Sequence, residues 1–546
     1  MADWDEAADF VIVGSGGGSM CAALACVDMG IRPLILEKTD MAGGSTAMSG
    51  GILWIPANSL MAKAGVQDSV EEGLRYLTGL VPDQPGSTPE RKRAYVETGR
   101  EMVDWLSAKG IKWIYCRGWP DYYDERPGGK ADGRSLGMEL FDRNRLGPWK
   151  DKLRGNIFPI PVQGTEGHKL ALFARTLKGF AVSLKVAYRI VRKHLLGVAY
   201  ASNGGAIQGR MLEVALKHGV DIRLNHGVTD FVVEDGRVTG VIVDAGGVQK
   251  RIGAGKGVLI NAGGFAHNAG MRSKYGPQPS STEWTVSNPG DTGEMILRAM
   301  DLGIAVHGLD RAIWCVYSRQ PDGRPGMHAN ELAKPHLIVV DKNGKRITDE
   351  ACSYMETGQN IYRAGAVPCF AIMDRRHRAR YNWAMTPPRY MPPDWLSSGY
   401  MKKAGTLREL AAKTGIDPDG LEAEVARYNG FVDQGRDEDF HRGERAYDRY
   451  FGDPRSKPSP TLGSLSEAPF YAVTLYPGDV GTYGGIVTDE WGRVIKEDGS
   501  VLPGLYATGN STASVTGDKY PGAGASIGAS FIFGYRAALH AGGARS

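Results

Sequence analysis

The chain opens with the stretch Asp9-Phe-Val-Ile-Val-Gly-Ser-Gly-Gly-Gly-Ser19, an apolar run that ends in a cluster of glycines. This pattern is typical of a buried strand, a glycine turn and a helix. The next apolar run, Pro33-Leu-Ile-Leu36, is followed directly by Glu37. Gly14 suits the tight turn, Gly16 the close approach of backbone to a pyrophosphate, and Glu37 a ribose hydroxyl. These offsets predict a dinucleotide site in a doubly wound α/β domain.

A second loop of small residues follows Glu37: Thr39-Asp-Met-Ala-Gly-Gly-Ser-Thr-Ala-Met-Ser-Gly-Gly51. It offers many backbone N–H groups for phosphate and for the edge of a flavin ring. A nicotinamide enzyme has no obvious use for such a loop, so the sequence favours FAD over NAD. Ser19 replaces the third fingerprint glycine and is small enough for close packing of helix on strand. The alternative is a strand, turn and helix that bind no cofactor.

The end of the chain contains two further glycine-rich stretches, Gly504-Leu-Tyr-Ala-Thr-Gly-Asn510 and Asp518-Lys-Tyr-Pro-Gly-Ala-Gly-Ala-Ser-Ile-Gly528. Both stretches are expected in a chain whose last residues return to the nucleotide site that its first residues form. The second stretch opens a final helix, and the N–H groups of Ala525, Ser526 and Ile527 would face the flavin pyrimidine. There they would stabilise negative charge on the reduced ring.

The middle of the chain indicates the domain organisation. The run Lys256-Gly-Val-Leu-Ile-Asn-Ala-Gly-Gly264 is a buried-strand pattern that ends in a glycine turn, as in glutathione-reductase-like flavoproteins. From about residue 310 the nucleotide-type glycine turns disappear, and Pro, Arg, Trp and Tyr become frequent. We predict an α/β protein with a Rossmann-type FAD-binding domain of residues 1–309 and 468–546. An α+β substrate domain of residues 310–467 is inserted in it.

Bulk properties exclude several classes of protein. The 546 residues exceed a single core, and 65 basic against 61 acidic residues give no global attraction to nucleic acid. The six cysteines are scattered, with no CxxC pair and no histidine cluster, which favours reduced, buried thiols and no metal site. The acidic start, Met1-Ala-Asp-Trp-Asp-Glu6, lacks the basic region of a signal peptide. We therefore expect a cytoplasmic protein.

Residues 168–196 form a basic amphipathic segment. Apolar and basic residues both recur in it at helical spacing, Gly179 interrupts it, and no Asp or Glu occurs between Gly167 and Leu212. Two interpretations are open. The apolar stripe packs on the protein, or the segment is an interfacial helix that contacts a membrane surface, as its exclusively basic polar face favours. It is too highly charged to span a bilayer. The apolar residues are Phe173, Leu177, Phe180, Leu184, Val191 and Leu195, and the basic ones are Arg175, Lys178, Lys185, Arg189 and Arg192.

Tyrosines are the candidates for chemistry. In a chain with 23 of them, any one taken alone is a packing residue with a satisfied hydroxyl. Tyr520 differs because it precedes the turn that opens the final helix. That turn could place the Gly524 N–H beside the Tyr520 hydroxyl, and together they would polarise a carbonyl oxygen. Tyr122 and Tyr354 are two further candidates.

Seven motifs resemble one family over nearly the whole chain. On these motifs the chain resembles the 3-ketosteroid Δ1-dehydrogenases of the fumarate reductase/succinate dehydrogenase flavoprotein superfamily. The Pro-Asp-Tyr-Tyr and Tyr-Pro-Gly-x-Gly elements are fairly specific within it. The motifs are Val13-Gly-Ser-Gly-Gly-Gly18, Leu36-Glu-Lys-Thr-Asp40, Ser49-Gly-Gly-Ile-Leu-Trp-Ile-Pro56, Trp119-Pro-Asp-Tyr-Tyr123, Asp439-Phe-His-Arg-Gly-Glu444, Gly504-Leu-Tyr-Ala-Thr-Gly-Asn510 and Tyr520-Pro-Gly-Ala-Gly524.

The resemblance implies FAD-dependent 1,2-dehydrogenation of 3-keto-4-ene steroids. It implies that the Tyr520 hydroxyl and the Gly524 N–H bind the 3-keto oxygen. It further implies that Tyr354, hydrogen-bonded by Tyr122, takes the proton from carbon 2, while flavin N5 receives the hydride from carbon 1. A tyrosinate base is reasonable when hydrogen bonding or nearby charge lowers its pKa below the usual value of about 10.

The same resemblance leaves substrate and electron acceptor open. A helix on the bilayer would suit a sterol with an intact side chain, such as cholest-4-en-3-one, and the alternative is androstenedione taken from water. No second glycine fingerprint for NAD is present, so we expect a quinone or another redox partner as acceptor. Alternative functions are a Δ4-(5α)-dehydrogenase, a fumarate-type reductase, and a non-catalytic flavin-binding, membrane-associated module.

The predicted FAD contacts come from the fingerprint turn, the second loop, the strand ends and the final helix. They are Gly14, Ser15, Gly16, Gly17, Gly18, Ser19, Glu37, Lys38, Gly43, Gly44, Ser45, Thr46, Ser49, Gly50, Gly51, Val228, Ala262, Gly263, Gly509, Asn510, Ala525, Ser526 and Ile527.

Overall fold

The structure is a computed structural model that describes residues 3–156 and 160–544. The first part of the chain contains β1 (Glu6–Val13), α1 (Gly17–Asp28), β2 (Pro33–Leu36), α2 (Gly44–Met48), β3 (Leu53–Trp54), α3 (Ser59–Lys63), α4 (Val70–Leu80), α5 (Pro89–Ala108), β4 (Trp113–Tyr115), β5 (Ser135–Met138), β6 (Phe141–Asp142), α6 (Glu166–Leu170), α7 (Leu177–Leu196), β7 (Tyr200–Ala201), α8 (Asn203–Lys217), β8 (Asp221–Arg223), β9 (His226–Glu234), β10 (Arg237–Ala245), β11 (Gln249–Ile260), α9 (Ala269–Tyr275), α10 (Glu294–Asp301) and β12 (Val306–His307).

The middle part contains β13 (Ala312–Arg319), β14 (Pro325–His328), β15 (Leu337–Val340), α11 (Tyr354–Arg363), β16 (Cys369–Met373), α12 (Arg375–Arg380), α13 (Pro393–Ser397), β17 (Met401–Ala404), α14 (Leu407–Thr414), α15 (Pro418–Gln434), α16 (Ala446–Phe451) and β18 (Phe470–Thr482). The last part contains β19 (Gly485–Ile486), β20 (Arg493–Ile495), β21 (Val501–Ala507) and α17 (Ala525–Ala541).

The largest sheet has the strand order β20-β21-β11-β1-β2-β8, and β10 and β9 continue from β11. β1 pairs in parallel with β11 and β2, and β11 pairs in parallel with β21. The end of β1, from Phe10 to Val13, is almost fully buried because apolar clusters cover both faces of the sheet. Parallel pairing brings the carboxyl ends of β1, β2, β11 and β21 to one edge. Ligands of open α/β sheets bind at this edge.

The first and last long helices, α1 and α17, cross in direct backbone contact. A Cβ on Gly18 would lie 2.5 Å from the carbonyl oxygen of Ser530, and a Cβ on Gly534 would lie 2.4 Å from the carbonyl oxygen of Gly18. Only glycine permits this approach. The predicted return of the chain end to the first nucleotide unit is therefore confirmed.

A second, antiparallel sheet has the order β14-β13-β18-β16-β15, with β17 also paired to β18. β18 bonds to β13, β16 and β17, so residues 470–482 are part of this inserted sheet. The boundary that we predicted between 467 and 468 is therefore too early, since the chain rejoins the larger sheet only after β18. Most of β18 is buried, and its sequence does not distinguish the two sheets that it could join.

The basic segment forms two helices, α6 and α7, and the break lies before α7 rather than at Gly179. A Cβ on Gly179 would lie 2.5 Å from the carbonyl oxygen of Leu172, so this glycine lets α7 pack on the turn after α6. Val182 and Val186 are the buried apolar residues of α7. Its predicted apolar stripe is exposed, with Leu177 at 89% and Leu195 at 77%. Within the described residues, no helix combines the length and the apolar character needed to cross a bilayer.

Candidate active site

A cavity of about 400 Å³ lies where the carboxyl edge of the large sheet meets the inserted domain. The loops after β1, β2 and β11 form one wall, while Ile313, Met327 and Tyr354 belong to the inserted domain and line another. Small-molecule sites of proteins have volumes of about 300–1,000 Å³ and occur at such domain junctions. The cavity is therefore the candidate site for both cofactor and substrate.

The fingerprint turn has the backbone that its glycines predict. Gly14 has φ +90°, and a Cβ there would lie 2.4 Å from the carbonyl oxygen of Asn261. Glu37 lines the cavity and is anchored by its neighbours: one carboxylate oxygen accepts the N–H and hydroxyl of Ser15 at 3.1 and 2.6 Å. The other accepts the N–H and hydroxyl of Thr39, both at 2.9 Å. These bonds orient the Glu37 carboxylate at the cavity wall.

The second loop is joined to the fingerprint turn and to a later segment. The Gly43 N–H donates to the Ser15 hydroxyl at 2.9 Å, and the Ser45 hydroxyl donates to Asp291 at 2.9 Å. Burial raises the pKa of Asp291 to about 7, against the opposing effects of Ser45 and Lys38. Gly51 has φ +63°, and a Cβ there would collide with the start of α8. The loop is therefore a fixed part of the cavity wall.

Most of the predicted FAD contacts line this cavity. They are Gly14, Ser15, Gly16, Glu37, Lys38, Gly44, Ser45, Thr46, Ser49, Gly50, Gly51, Val228, Ala262, Gly263, Gly509, Asn510, Ser526 and Ile527.

The other five predicted contacts do not line the cavity. A Cβ on Gly17 would lie 1.9 Å from the Phe531 ring, so this glycine serves the crossing of α1 and α17. Ser19 is buried on the same helix. The Ala525 N–H donates to the Gly522 carbonyl at 3.2 Å. It is therefore not free for a flavin, although we predicted that it would face one. The five residues are Gly17, Gly18, Ser19, Gly43 and Ala525.

Three tyrosines and a glycine predicted for chemistry meet at one end of the cavity. The Tyr122 hydroxyl donates to the Tyr354 hydroxyl at 3.1 Å. The ring centroid of Tyr520 lies 5.6 Å from that of Tyr122 and 6.0 Å from that of Tyr354. Gly524 also lines the cavity. Residues distant in sequence thus place three hydroxyl groups together in the lining of the cavity that the two glycine-rich loops also form.

Separate elements hold these groups in place. The Tyr122 N–H donates to the Pro521 carbonyl at 3.0 Å, which fixes the Tyr122 loop against the Tyr520 loop. Tyr354 is the first residue of α11, and its neighbour Ser353 forms a capping box with Glu356. Gly524 caps α17 with φ +89°, and a Cβ there would lie 1.9 Å from the carbonyl oxygen of Ile52.

Burial controls the ionisation of the tyrosines. It raises the pKa of Tyr122 and of Tyr354 well above the ordinary value. Burial also raises the pKa of Tyr520, but hydrogen bonds from Ser526, Tyr354 and the Gly524 backbone act in the opposite direction. The Tyr520 hydroxyl is therefore protonated at neutral pH, and its oxygen lies 3.2 Å from the Ser526 hydroxyl.

The structure adds site residues that we did not predict. Tyr447, on α16, lines the cavity with its ring centroid 4.6 Å from that of Tyr122. The stretch from Val286 to Met295, which includes Asp291, also contributes to the lining. Its sequence Ser287-Asn-Pro-Gly-Asp291 is a polar glycine turn after an apolar residue, a signal that could have identified it. Tyr447 has no such local signal.

The fold and the cavity define a flavoprotein. The FAD binding domain family matches residues 9–527, and the cofactor is FAD. The chain is 39% identical over 551 residues to the 3-oxosteroid 1-dehydrogenase of Mycolicibacterium smegmatis, covering 97% of this chain and 96% of that protein. The chain therefore belongs to the 3-oxosteroid 1-dehydrogenase family of FAD-dependent oxidoreductases.

Two further relatives also match over nearly the whole length of this chain. A 4-oxocyclohex-2-ene-1-carboxylate 5-dehydrogenase of Sinomonas cyclohexanicum is 32% identical, with 97% of this chain and 93% of that protein covered. The crystal structure of 3-ketosteroid delta1-dehydrogenase from Sterolibacterium denitrificans in complex with 1,4-androstadiene-3,17-dione matches with a TM-score of 0.92 and 33% identity. That match covers 99% of this chain and 100% of the other. The predicted fold class and family are confirmed.

Proposed function

We propose that the protein converts 3-keto-4-ene steroids to 1,4-dienes by removing hydrogen from carbons 1 and 2. The observation behind this proposal is the meeting of Tyr122, Tyr354, Tyr520 and Gly524 at the flavin side of one cavity. The names of the relatives support a cyclic ketone as substrate. FAD, when bound, supplies the acceptor for the hydride that leaves carbon 1.

The chain's own residues carry out the proton chemistry in this proposal. The Tyr520 hydroxyl and the Gly524 N–H donate to the 3-keto oxygen, and this polarisation makes the hydrogens on carbon 2 more acidic. Tyr354 accepts the carbon 2 proton as the base. Tyr122 donates to the Tyr354 oxygen and stabilises its anion. With the proton on Tyr354 and the hydride passing to the acceptor that FAD would supply, the electrons of the broken carbon 2–hydrogen bond form the double bond between carbons 1 and 2.

We propose the cavity-lining loop residues as the FAD contacts. Gly14 and Gly16 would lie against the pyrophosphate, and Ser526 and Ile527 would lie against the flavin ring. A quinone or another redox partner as electron acceptor and a cytoplasmic location stay predictions.

The reductive half-reaction tests the function. We expect anaerobic mixing with androst-4-ene-3,17-dione or cholest-4-en-3-one to bleach the visible absorbance of the flavin. Mass spectrometry would then find the 1,4-diene, and the faster substrate would decide whether an intact side chain is accepted. A steroid without the 3-oxo group is the matched control and leaves the flavin oxidised. A flavin that dithionite reduces but neither ketosteroid reduces would contradict the proposal. 5α-ketosteroids and unsaturated dicarboxylates would then be tested.

We further propose that α7 rests on an anionic membrane surface. Its exposed apolar residues include Leu177, Leu184 and Leu195, and Lys178 and Lys185 are exposed beside them. Other basic residues of the segment pair within the protein: Arg175 with Asp453 and Arg189 with Glu166. An exposed apolar stripe flanked by lysines suits the boundary between lipid headgroups and acyl chains. The charge favours anionic lipid.

Vesicle co-sedimentation tests this contact. We expect the purified protein to pellet with anionic vesicles, and we expect Leu177→Ser, Leu184→Ser and Leu195→Ser together to reduce vesicle partitioning at least about tenfold, because each removes exposed apolar surface. Val233→Ser with Val248→Ser, which changes exposed valines elsewhere, is the matched control. High salt should weaken binding. Equal pelleting of the triple variant and the parent would exclude α7 as the contact.

A further inference from the structure

The lining of the cavity contains a histidine that the proposed reaction does not use. His168, on α6, lines the cavity with Trp119, Val162 and Phe451. A row of ring contacts separates it from the reacting end: Tyr122 to Tyr447 at 4.6 Å, Tyr447 to Phe451 at 5.5 Å and Phe451 to His168 at 6.4 Å. Two aromatic rings, Tyr447 and Phe451, therefore lie between His168 and Tyr122 in this row.

One nitrogen of this histidine is already occupied. The His168 Nδ1 lies 3.0 Å from the Tyr450 hydroxyl, and the two rings are in contact with centroids 4.3 Å apart. Trp119 also stacks on Tyr450, with ring centroids 5.6 Å apart. The part of the chain that the structure describes gives Nε2 no hydrogen-bond partner. The imidazole is thus held by a protein contact on one nitrogen, and its second nitrogen remains for a ligand.

The imidazole is neutral in this environment. Burial lowers the pKa of His168 to about 3, and the neighbouring cations Lys169 and Lys334 act in the same direction. A neutral imidazole has one N–H and one acceptor nitrogen. Because the Tyr450 hydroxyl can either donate to Nδ1 or accept from it, Nε2 can present a proton to a ketone or a lone pair to a hydroxyl.

We propose that His168 is a specificity-determining residue whose Nε2 hydrogen-bonds an oxygen substituent at the end of the steroid opposite the 3-keto group. This inference rests on the proposed function. A fused steroid nucleus is rigid, so holding the 3-keto oxygen at Tyr520 and Gly524 directs the D-ring toward the far wall. His168 there favours a 17-oxo or 17-hydroxy steroid over one with hydrocarbon alone at carbon 17. Tyr450 is the positioning residue that orients the imidazole.

A comparison of two substrates that differ in one oxygen tests the proposal. We expect the parent enzyme to convert androst-4-ene-3,17-dione with a kcat/KM about tenfold above that for androst-4-en-3-one, since a buried hydrogen bond between neutral groups contributes about that factor. His168→Phe should bring the ratio near one by lowering the value for the dione. His218→Phe changes an exposed histidine at the end of α8 and should keep the parent ratio. The ratio does not depend on the active fraction of a preparation.

Tyr450→Phe provides a second test that preserves the ring. It removes only the hydroxyl that orients His168, so we expect a ratio between those of the parent and of His168→Phe. If His168→Phe does not fold, the substrate ratio of Tyr450→Phe alone tests the role of His168. Equal conversion of both steroids by the parent enzyme, or an unchanged ratio in both variants, would overturn the inference and leave the proposed function intact. Conversion of neither steroid by the parent enzyme would overturn the proposed function as well.

Discussion

We expect Tyr354→Phe to lower kcat on a 3-ketosteroid by about 10²- to 10⁴-fold, because a positioned general base contributes a factor of that size. The side chain loses only its hydroxyl, and the ring contacts with Tyr122 and Tyr520 remain possible. The flavin content should therefore equal that of the parent protein. Stopped-flow bleaching of the flavin at saturating steroid measures the effect directly.

The same base predicts a direction for the pH profile. Burial raises the pKa of Tyr354 well above the ordinary value, so only a small fraction is deprotonated at neutral pH. Since the proposed mechanism requires the tyrosinate form of Tyr354, the bleaching rate should rise with pH, about tenfold per unit while the pH stays below the pKa. Tyr122→Phe removes the donor to the Tyr354 oxygen and should move the rise to higher pH.

Two controls separate a base from a packing residue. Tyr362→Phe changes another tyrosine of α11, whose hydroxyl donates to the Pro279 carbonyl outside the cavity, and should leave the rate unchanged. Exchange of the carbon 2 hydrogen with solvent deuterium, followed by mass spectrometry, should be lost in Tyr354→Phe. Retained exchange together with a normal alkaline rise would show that another group takes the proton.

The sequence predicted the nucleotide half of the site well because its signals are local. A buried strand, a glycine turn and an acidic residue at fixed offsets specify a βαβ unit, and Gly14 and Glu37 lie at the predicted sheet edge. The place of Tyr520 in the cavity lining could also be predicted, since Tyr520 adjoins a glycine turn with φ +89° at Gly524. A glycine in the sequence can thus indicate a backbone conformation that other residues rarely adopt.

The opposite wall of the cavity depends on contacts between distant segments, and sequence periodicity does not report these. No local sequence pattern distinguishes Tyr447 or His168, and only the packing of α16 and α6 places them in the cavity lining. The domain boundary was misplaced for the same reason, since β18 joins its sheet through pairing with strands far along the chain. The role of Gly179 likewise depends on a tertiary contact, since it lets α7 pack on the turn after α6.

We expect Tyr520→Phe to lower kcat/KM by about 10²- to 10³-fold, the usual effect of removing one donor to a developing oxyanion. Tyr520 is almost fully buried, and its hydroxyl lies 3.2 Å from the Ser526 hydroxyl, so the lost donor is not replaced by bulk water. Unlike Tyr354→Phe, this variant should weaken ketone binding and leave the alkaline rise of the rate in place.

Binding titrations distinguish polarisation of the ketone from general damage to the cavity. A steroid without the 3-oxo group should bind the parent protein and Tyr520→Phe equally, whereas the 3-ketone should bind the variant more weakly. Tyr506→Phe, which removes a hydroxyl bonded to His540 outside the cavity, is the matched control. Gly524→Ala is unsuitable, because a Cβ 1.9 Å from the Ile52 carbonyl would move the loop itself. If Tyr520→Phe weakens both ligands to the same extent, its hydroxyl supports the cavity and does not polarise the ketone.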